Sequence, residues 1–78
     1  MNIRVRLVFP EPLVKEPVLS RLIRTCDVDV SIRRASIEED GGWIVCELLG
    51  STAALDAAMI WLEESDVHVE QLDGVVEG

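Results

Sequence analysis

Few residues of this 78-residue chain are of types that do chemistry. It has one histidine, His68, and two cysteines, Cys26 and Cys46, far apart in the sequence. No second nitrogen or sulfur ligand is spaced near His68, and no CxxC pair occurs. The sequence therefore offers neither a zinc knuckle nor an iron–sulfur ligand set. His68 reads as a polar strand residue and the cysteines as small packing residues. No Ser/His/Asp set, phosphate-binding glycine loop or dinucleotide glycine pattern is present. The expectation is a non-enzymatic protein with no catalytic residue, cofactor or metal.

What remains is charge. Arg4 and Arg6 alternate along one apolar segment, and Glu47 and Glu70 lie in others. Cross-strand pairing of these arginines with these glutamates is the simplest reading, at about 0.2–1 kcal/mol per pair. The alternative is that an arginine holds the carboxylate of a small ligand. The run Glu38-Glu39-Asp40 reads as a solvated turn.

The charge is unevenly spread. The net value is −8, yet all seven basic residues lie at or before Arg34, with four acidic ones, while eleven acidic residues follow. A phosphate backbone would be repelled by the whole, which argues against nucleic acid. The hydrophobic fraction of 49% is high for one small domain and suggests apolar surface buried between subunits. No apolar run approaches a membrane span, and Met1 leads straight into an alternating segment. We expect no membrane insertion and a cytoplasmic protein with reduced thiols.

These residues are positioned by six elements. Ile3, Val5, Leu7 and Phe9 alternate with Arg4, Arg6 and Val8, as in a strand with one buried face. Pro10 and Pro12 stop it, and a loop from Pro10 to Lys15 follows. Pro17 fits the first position of a helix, with Glu16 suited to its positive end. Val18, Leu19, Leu22, Ile23 and Cys26 make the buried stripe. A long strand opens at Val28. Val30 and Ile32 share its face with Val28, but Ile37 is out of phase, which places a bulge or bend near Arg33-Ala35. Gly41 and Gly42 close a turn. Trp43 to Leu49 returns as an antiparallel strand. Gly50 breaks it, and Ser51 or Thr52 caps a second helix with Ala54, Leu55, Ala58, Met59 and Leu62 inward. Trp61 packs along the edge of that helix or meets a partner. Val67, Val69 and Leu72 mark a short last strand.

The order βαββαβ is the ferredoxin-like motif, an α+β fold with two helices on one face of a four-stranded antiparallel sheet. The first and third strands form its central pair. We assign residues 1–73 to the domain and 74–78 to a frayed tail. The uncovered face would carry Val8, Trp43, Val45 and Leu49, a candidate dimer face. Acylphosphatases share this topology, but their glycine-rich anion loop is replaced here by Pro10-Glu11-Pro12-Leu13.

The chain resembles the NIL domain family. The matching stretches are Glu16-Pro17-Val18-Leu19-Ser20-Arg21-Leu22, then Val28-Asp29-Val30-Ser31-Ile32, Ile37-Glu38, Val45 and Leu49-Gly50. Ala57-Ala58, Trp61-Leu62 and Val67-His68-Val69-Glu70 complete the series, which covers roughly residues 3–73. Such domains stand at the C-terminus of methionine-import transporter ATPases and as short free-standing proteins; this chain, without an ATPase domain, reads as the latter. The resemblance implies an ACT-like regulatory module whose paired copies bind methionine at their interface. The Asn-Ile-Leu that names the family reads Ser31-Ile32-Arg33 here. Ser31 is shorter than asparagine, and Arg33 replaces an apolar residue. Some relatives are fused to iron–sulfur segments, for which this chain lacks the cysteines.

The resemblance implies a ligand site around Ser31, Ile32 and Arg33. The ligand carboxylate would need a cation or a helix N-terminus, supplied by Arg33 or by Pro17 and Val18. The expectation is a homodimer binding a small amino acid or sulfur-related metabolite. The alternative is a ligand-free interaction module that presents its open face or an edge strand to a protein partner.

Overall fold

The computed structural model describes residues 1–10 and 17–76, the last four of these by backbone alone. The expected loop from Pro10 to Lys15, apart from Pro10 itself, lies outside the described residues, as do Glu16 and the last two residues of the tail.

The elements are β1 (Asn2–Pro10), α1 (Val18–Cys26), β2 (Asp29–Glu38), β3 (Gly41–Leu49), α2 (Thr52–Glu64) and β4 (His68–Val76). The sheet order is β2-β3-β1-β4 with every pair antiparallel. This is the expected ferredoxin-like α+β fold, with β1 and β3 central. Alternation puts Ile3, Val5, Leu7 and Phe9 of β1 and Ile44, Cys46 and Leu48 of β3 on one buried face. Against it pack Val18, Leu22 and Cys26 of α1 and Leu55, Ala58 and Leu62 of α2, in one core. Trp61 packs partly buried against that core. Burial lifts the Cys46 thiol to about 11, so it stays a neutral packing group.

The helix ends follow their local sequence. Pro17 is the residue before the first turn rather than the first position within it, and no side chain caps α1. Asp27 ends α1 in the left-handed region, with φ 56, so Val28 is buried just outside the strand it was expected to open. The Ser51 hydroxyl caps α2 by accepting from the Ala54 N–H at 3.1 Å.

Three departures matter. Ile23 is 41% exposed and stands outside the α1 stripe. Ile32 lies in register with buried Cys46, hence on the helix side, yet is 56% exposed. Edge strand β2 runs beyond what two short helices cover. The last strand is longer than expected and reaches Val76, past Gly74.

The bulge near Arg33 is present: the β2–β3 register shifts between Ile32 and Arg34. One extra residue there explains why Ile37 falls out of phase with Val30. The turn is Glu39-Asp40 alone, and Gly41 and Gly42, expected within it, open β3, where Gly41 takes a positive φ of 147. Gly42 serves close approach instead, since a Cβ there would sit 2.9 Å from the Ser36 carbonyl oxygen and from Ile37 Cδ1.

Candidate functional site

Alternation on β1 and β3 sends Asn2, Arg4, Arg6 and Val8, with Trp43, Val45, Glu47 and Leu49, to the face without helices. The registers Arg4↔Glu47 and Ser31↔Glu47 bring three strands together at one point. The bulge in β2 adds a fourth contributor, because the extra residue there is Arg33, and its guanidinium reaches Glu47 as well.

Glu47 is the centre of this arrangement. It is 6% exposed, and it is the buried charged residue among the described residues. Its Oε1 accepts from Arg33 Nε at 3.1 Å and lies 2.8 Å from Arg33 Nη2. The same oxygen accepts from Arg4 Nη2 at 3.2 Å, and Oε2 accepts from Asn2 Nδ2 at 3.2 Å. A carboxylate removed from water needs such partners. The Arg4 bond, followed by Arg33 and then Asn2, holds the Glu47 carboxyl below the usual carboxylate range, against the opposing effect of burial.

Next to this cluster Arg6 lies over the Trp43 ring, 5.2 Å from its centroid. The expected pairing is thus half realised: Arg4 meets Glu47, whereas Arg6 faces an aromatic ring rather than Glu70. The Nε atoms of Arg4 and Arg6 are buried without a hydrogen-bond partner among the described residues. His68 Nε2 is 3.7 Å from Glu70 Oε1, with both side chains well exposed. No group of three metal-ligating side chains is found among the described residues.

The residues expected to bind a ligand divide between the two sides of the sheet. Arg33 reaches Glu47 on the open face, and Ser31 stands opposite Glu47 in register. Ile32 is on the helix side. Val18 is buried in the core, and Pro17 lines a shallow groove on the outer surface of α1 with Ser20, Ile23 and Arg24. Within one chain the sheet separates the N-terminus of α1 from Ser31. Of the candidate dimer face, Val8, Trp43 and Val45 are partly exposed and Leu49 is 37% exposed.

Sequence reasoning treated Glu47 as a pairing partner for Arg4 and did not see it as the hub, and it passed over Asn2. The available signal was that Glu47 is the acid on a central strand facing the open side. The bulge at Arg33, which supplies the second arginine, fixes its neighbourhood.

Comparison with known proteins bears on this geometry. The chain is 40% identical, over 91% of its length, to the methionine import ATP-binding protein MetN of Chromohalobacter salexigens. It is 39% identical, over 86% of its length, to the protein of that name from Helicobacter pylori strain J99. It spans about a fifth of each of these relatives, 22%. Among solved structures, the C-terminal domain of an ABC transporter ATP-binding protein from Enterococcus faecalis superposes with a TM-score of 0.82 at 27% identity, covering 94% of this chain and 86% of that one. The family model of the NIL domain matches residues 3–71, and the chain belongs to the NIL domain family.

Proposed function

We propose that this domain is a non-enzymatic regulatory module that pairs with a second copy and binds a small amino acid, methionine or a sulfur-bearing relative, at the open sheet face. One observation carries the reading. The relatives are methionine import proteins, and the stretch that names the family, here Ser31-Ile32-Arg33, sets Arg33 against a buried carboxylate on that face and Ser31 opposite it in register. The partly exposed Val8, Trp43, Val45 and Leu49 give the face apolar surface for a second copy. Pro17 and Val18 join the ligand only if that second copy supplies them. A ligand shared between two copies couples its concentration to the dimer population, which is sufficient for regulation. The buried free thiols Cys26 and Cys46 suit a reducing cytoplasm.

A second reading rests on the edge. β2 presents an unpaired strand edge with Ile32 and Ile37 56% and 55% exposed, a surface to which a partner protein could add a strand.

A thermal-shift series with amino acids and sulfur metabolites, run beside light scattering, separates the two. Under the first reading the melting temperature rises with the logarithm of methionine concentration in a dimeric protein. A flat response to every compound overturns it and favours the edge. Ser31→Asn restores the amide that names the family and is expected to tighten methionine binding in calorimetry. Unchanged or weaker binding would remove the ligand from Ser31.

A further inference from the structure

We infer that the Arg33–Glu47 pair is the specificity element of this face, and that it selects zwitterionic α-amino acids over plain acids and plain amines. The inference rests on the amino-acid reading above and adds to it the chemical class of the ligand and the role of Glu47.

Donors and acceptors decide it. Glu47 Oε1 accepts hydrogen bonds from Arg33 Nε and Arg4 Nη2, and Arg33 Nη2 completes the ion pair 2.8 Å away. The Arg33 side chain is 55% exposed and arrives from a bulge, so its guanidinium can turn outward to a ligand carboxylate without disturbing the core. Glu47 cannot follow, because Arg4 and Asn2 hold it in place. Once Arg33 turns, Oε1 keeps only the Arg4 bond and loses the Arg33 bond and ion pair while remaining buried, and an under-satisfied buried carboxylate is costly.

An α-amino acid removes that cost. Its carboxylate takes the fork of Arg33, and its ammonium gives new donors to Oε1. One internal ion pair becomes two intermolecular ones, and no buried charge is left short. A plain acid satisfies Arg33 but strips Glu47. A plain amine finds Glu47 already filled by Arg33 and gives Arg33 no new acceptor. Ser31 stands opposite Glu47 in register, where its hydroxyl can add one further bond to the bound ligand. This places Glu47 in the binding site as the acceptor for the ligand ammonium.

The test is calorimetry on the whole chain with methionine, its desamino acid and its decarboxylated amine, using the unaltered protein and Glu47→Gln. The unaltered protein should prefer methionine to either analogue by about tenfold or more, the usual scale for a charge-assisted bond. In Glu47→Gln the preference over the desamino acid should collapse toward one. If the preference survives in Glu47→Gln, or if the unaltered protein binds the desamino acid as tightly as methionine, the assignment is overturned while the amino-acid sensor stands. If no amino acid of the thermal-shift series binds, both fall together. Should Glu47→Gln fail to fold, the Arg33 Nε–H resonance of the unaltered chain replaces it. That signal must move on adding methionine, and a stationary signal in the bound protein overturns the proposal.

Discussion

The two faces of this sheet are built from the same four strands and obey different rules. On the covered face, β1 and β3 place Val5, Leu7, Cys46 and Leu48 fully out of water against two helices. On the open face the same strands place Arg4, Arg6, Trp43 and Glu47, which meet laterally, with Arg33 of β2, through ion pairs and a ring contact. The covered face is held by non-directional burial, in which volume matters most. The open face is held by directional bonds, in which the identity of each partner matters. The first kind of surface supports the fold; the second lies outside the core, so its bonds are open to change without loss of that core.

Two adjacent leucines give the sharpest way to break this comparison. Leu48 is completely buried on the covered face, and its neighbour Leu49 is 37% exposed on the other. Leu48→Ala is expected to cost about 2–5 kcal/mol, a large share of what so small a domain has. Leu49→Ala is expected to cost about 1 kcal/mol or less in the single chain. Urea unfolding measures both. Comparable losses would mean that the open face is a second core and not a surface. Light scattering sharpens the result, because Leu49→Ala should weaken self-association if that face pairs two copies.

The next effect in size comes from the hairpin that aligns β2 with β3 and so sets Ser31 opposite Glu47, with the bulged Arg33 within reach of it. A methyl group at Gly42 would stand 2.9 Å from the Ser36 carbonyl oxygen, and a backbone atom cannot step aside as a side-chain tip can. Gly42→Ala is therefore expected to cost about 1–3 kcal/mol, the range for overpacking, and to disturb the β2 amide signals beside the turn. A silent Gly42→Ala would show that β2 is free to shift against β3, and the register that builds the site would lose its support.

The covered face was legible from sequence because period-two alternation in β1 and β3 and the apolar stripes of α1 and α2 report burial directly. The bulge was legible too, from the phase slip between Ile32 and Ile37. Two things were not. Ile32 and Ile23 carry the right residue type in the right phase but lie where no neighbour covers them, and the extent of that cover is set by helix length and placement, which no local pattern encodes. The burial of Glu47 was also hidden. Its spacing announces an outward-facing polar residue, and only the approach of Arg4, Arg33 and Asn2 from two other strands takes it out of water. A polar cluster assembled from three strands leaves no trace in the periodicity of any one of them.

The smallest expected effect tests whether that cluster behaves as a unit. The Glu47 carboxyl is held below its ordinary value of 4.5 in the folded chain, chiefly by Arg4 and then by Arg33. A group whose folded pKa is depressed lends stability that is complete above its unfolded pKa and is lost as pH falls through the folded one. The contribution of Glu47 is thus intact at neutral pH and disappears only in acid below about 4.5. Arg33→Ala removes one hydrogen bond and the ion pair from Oε1 and should raise the Glu47 pKa, as read by NMR titration of its side-chain carboxyl carbon. Because Glu47 stays buried when the Arg33 contacts go, unfolding stability at neutral pH should fall by a small but measurable amount, limited by the half exposure of Arg33 and by the bonds from Arg4 and Asn2 that remain. The two measurements should move together, a raised Glu47 pKa beside a lowered stability at neutral pH. That loss is the same cost that a plain acid would meet on drawing Arg33 away and that the ammonium of an α-amino acid would offset. A Glu47 carboxyl that loses Arg33 with no loss of stability would show that it does not need this partner, and the discrimination against a plain acid would lose its physical basis.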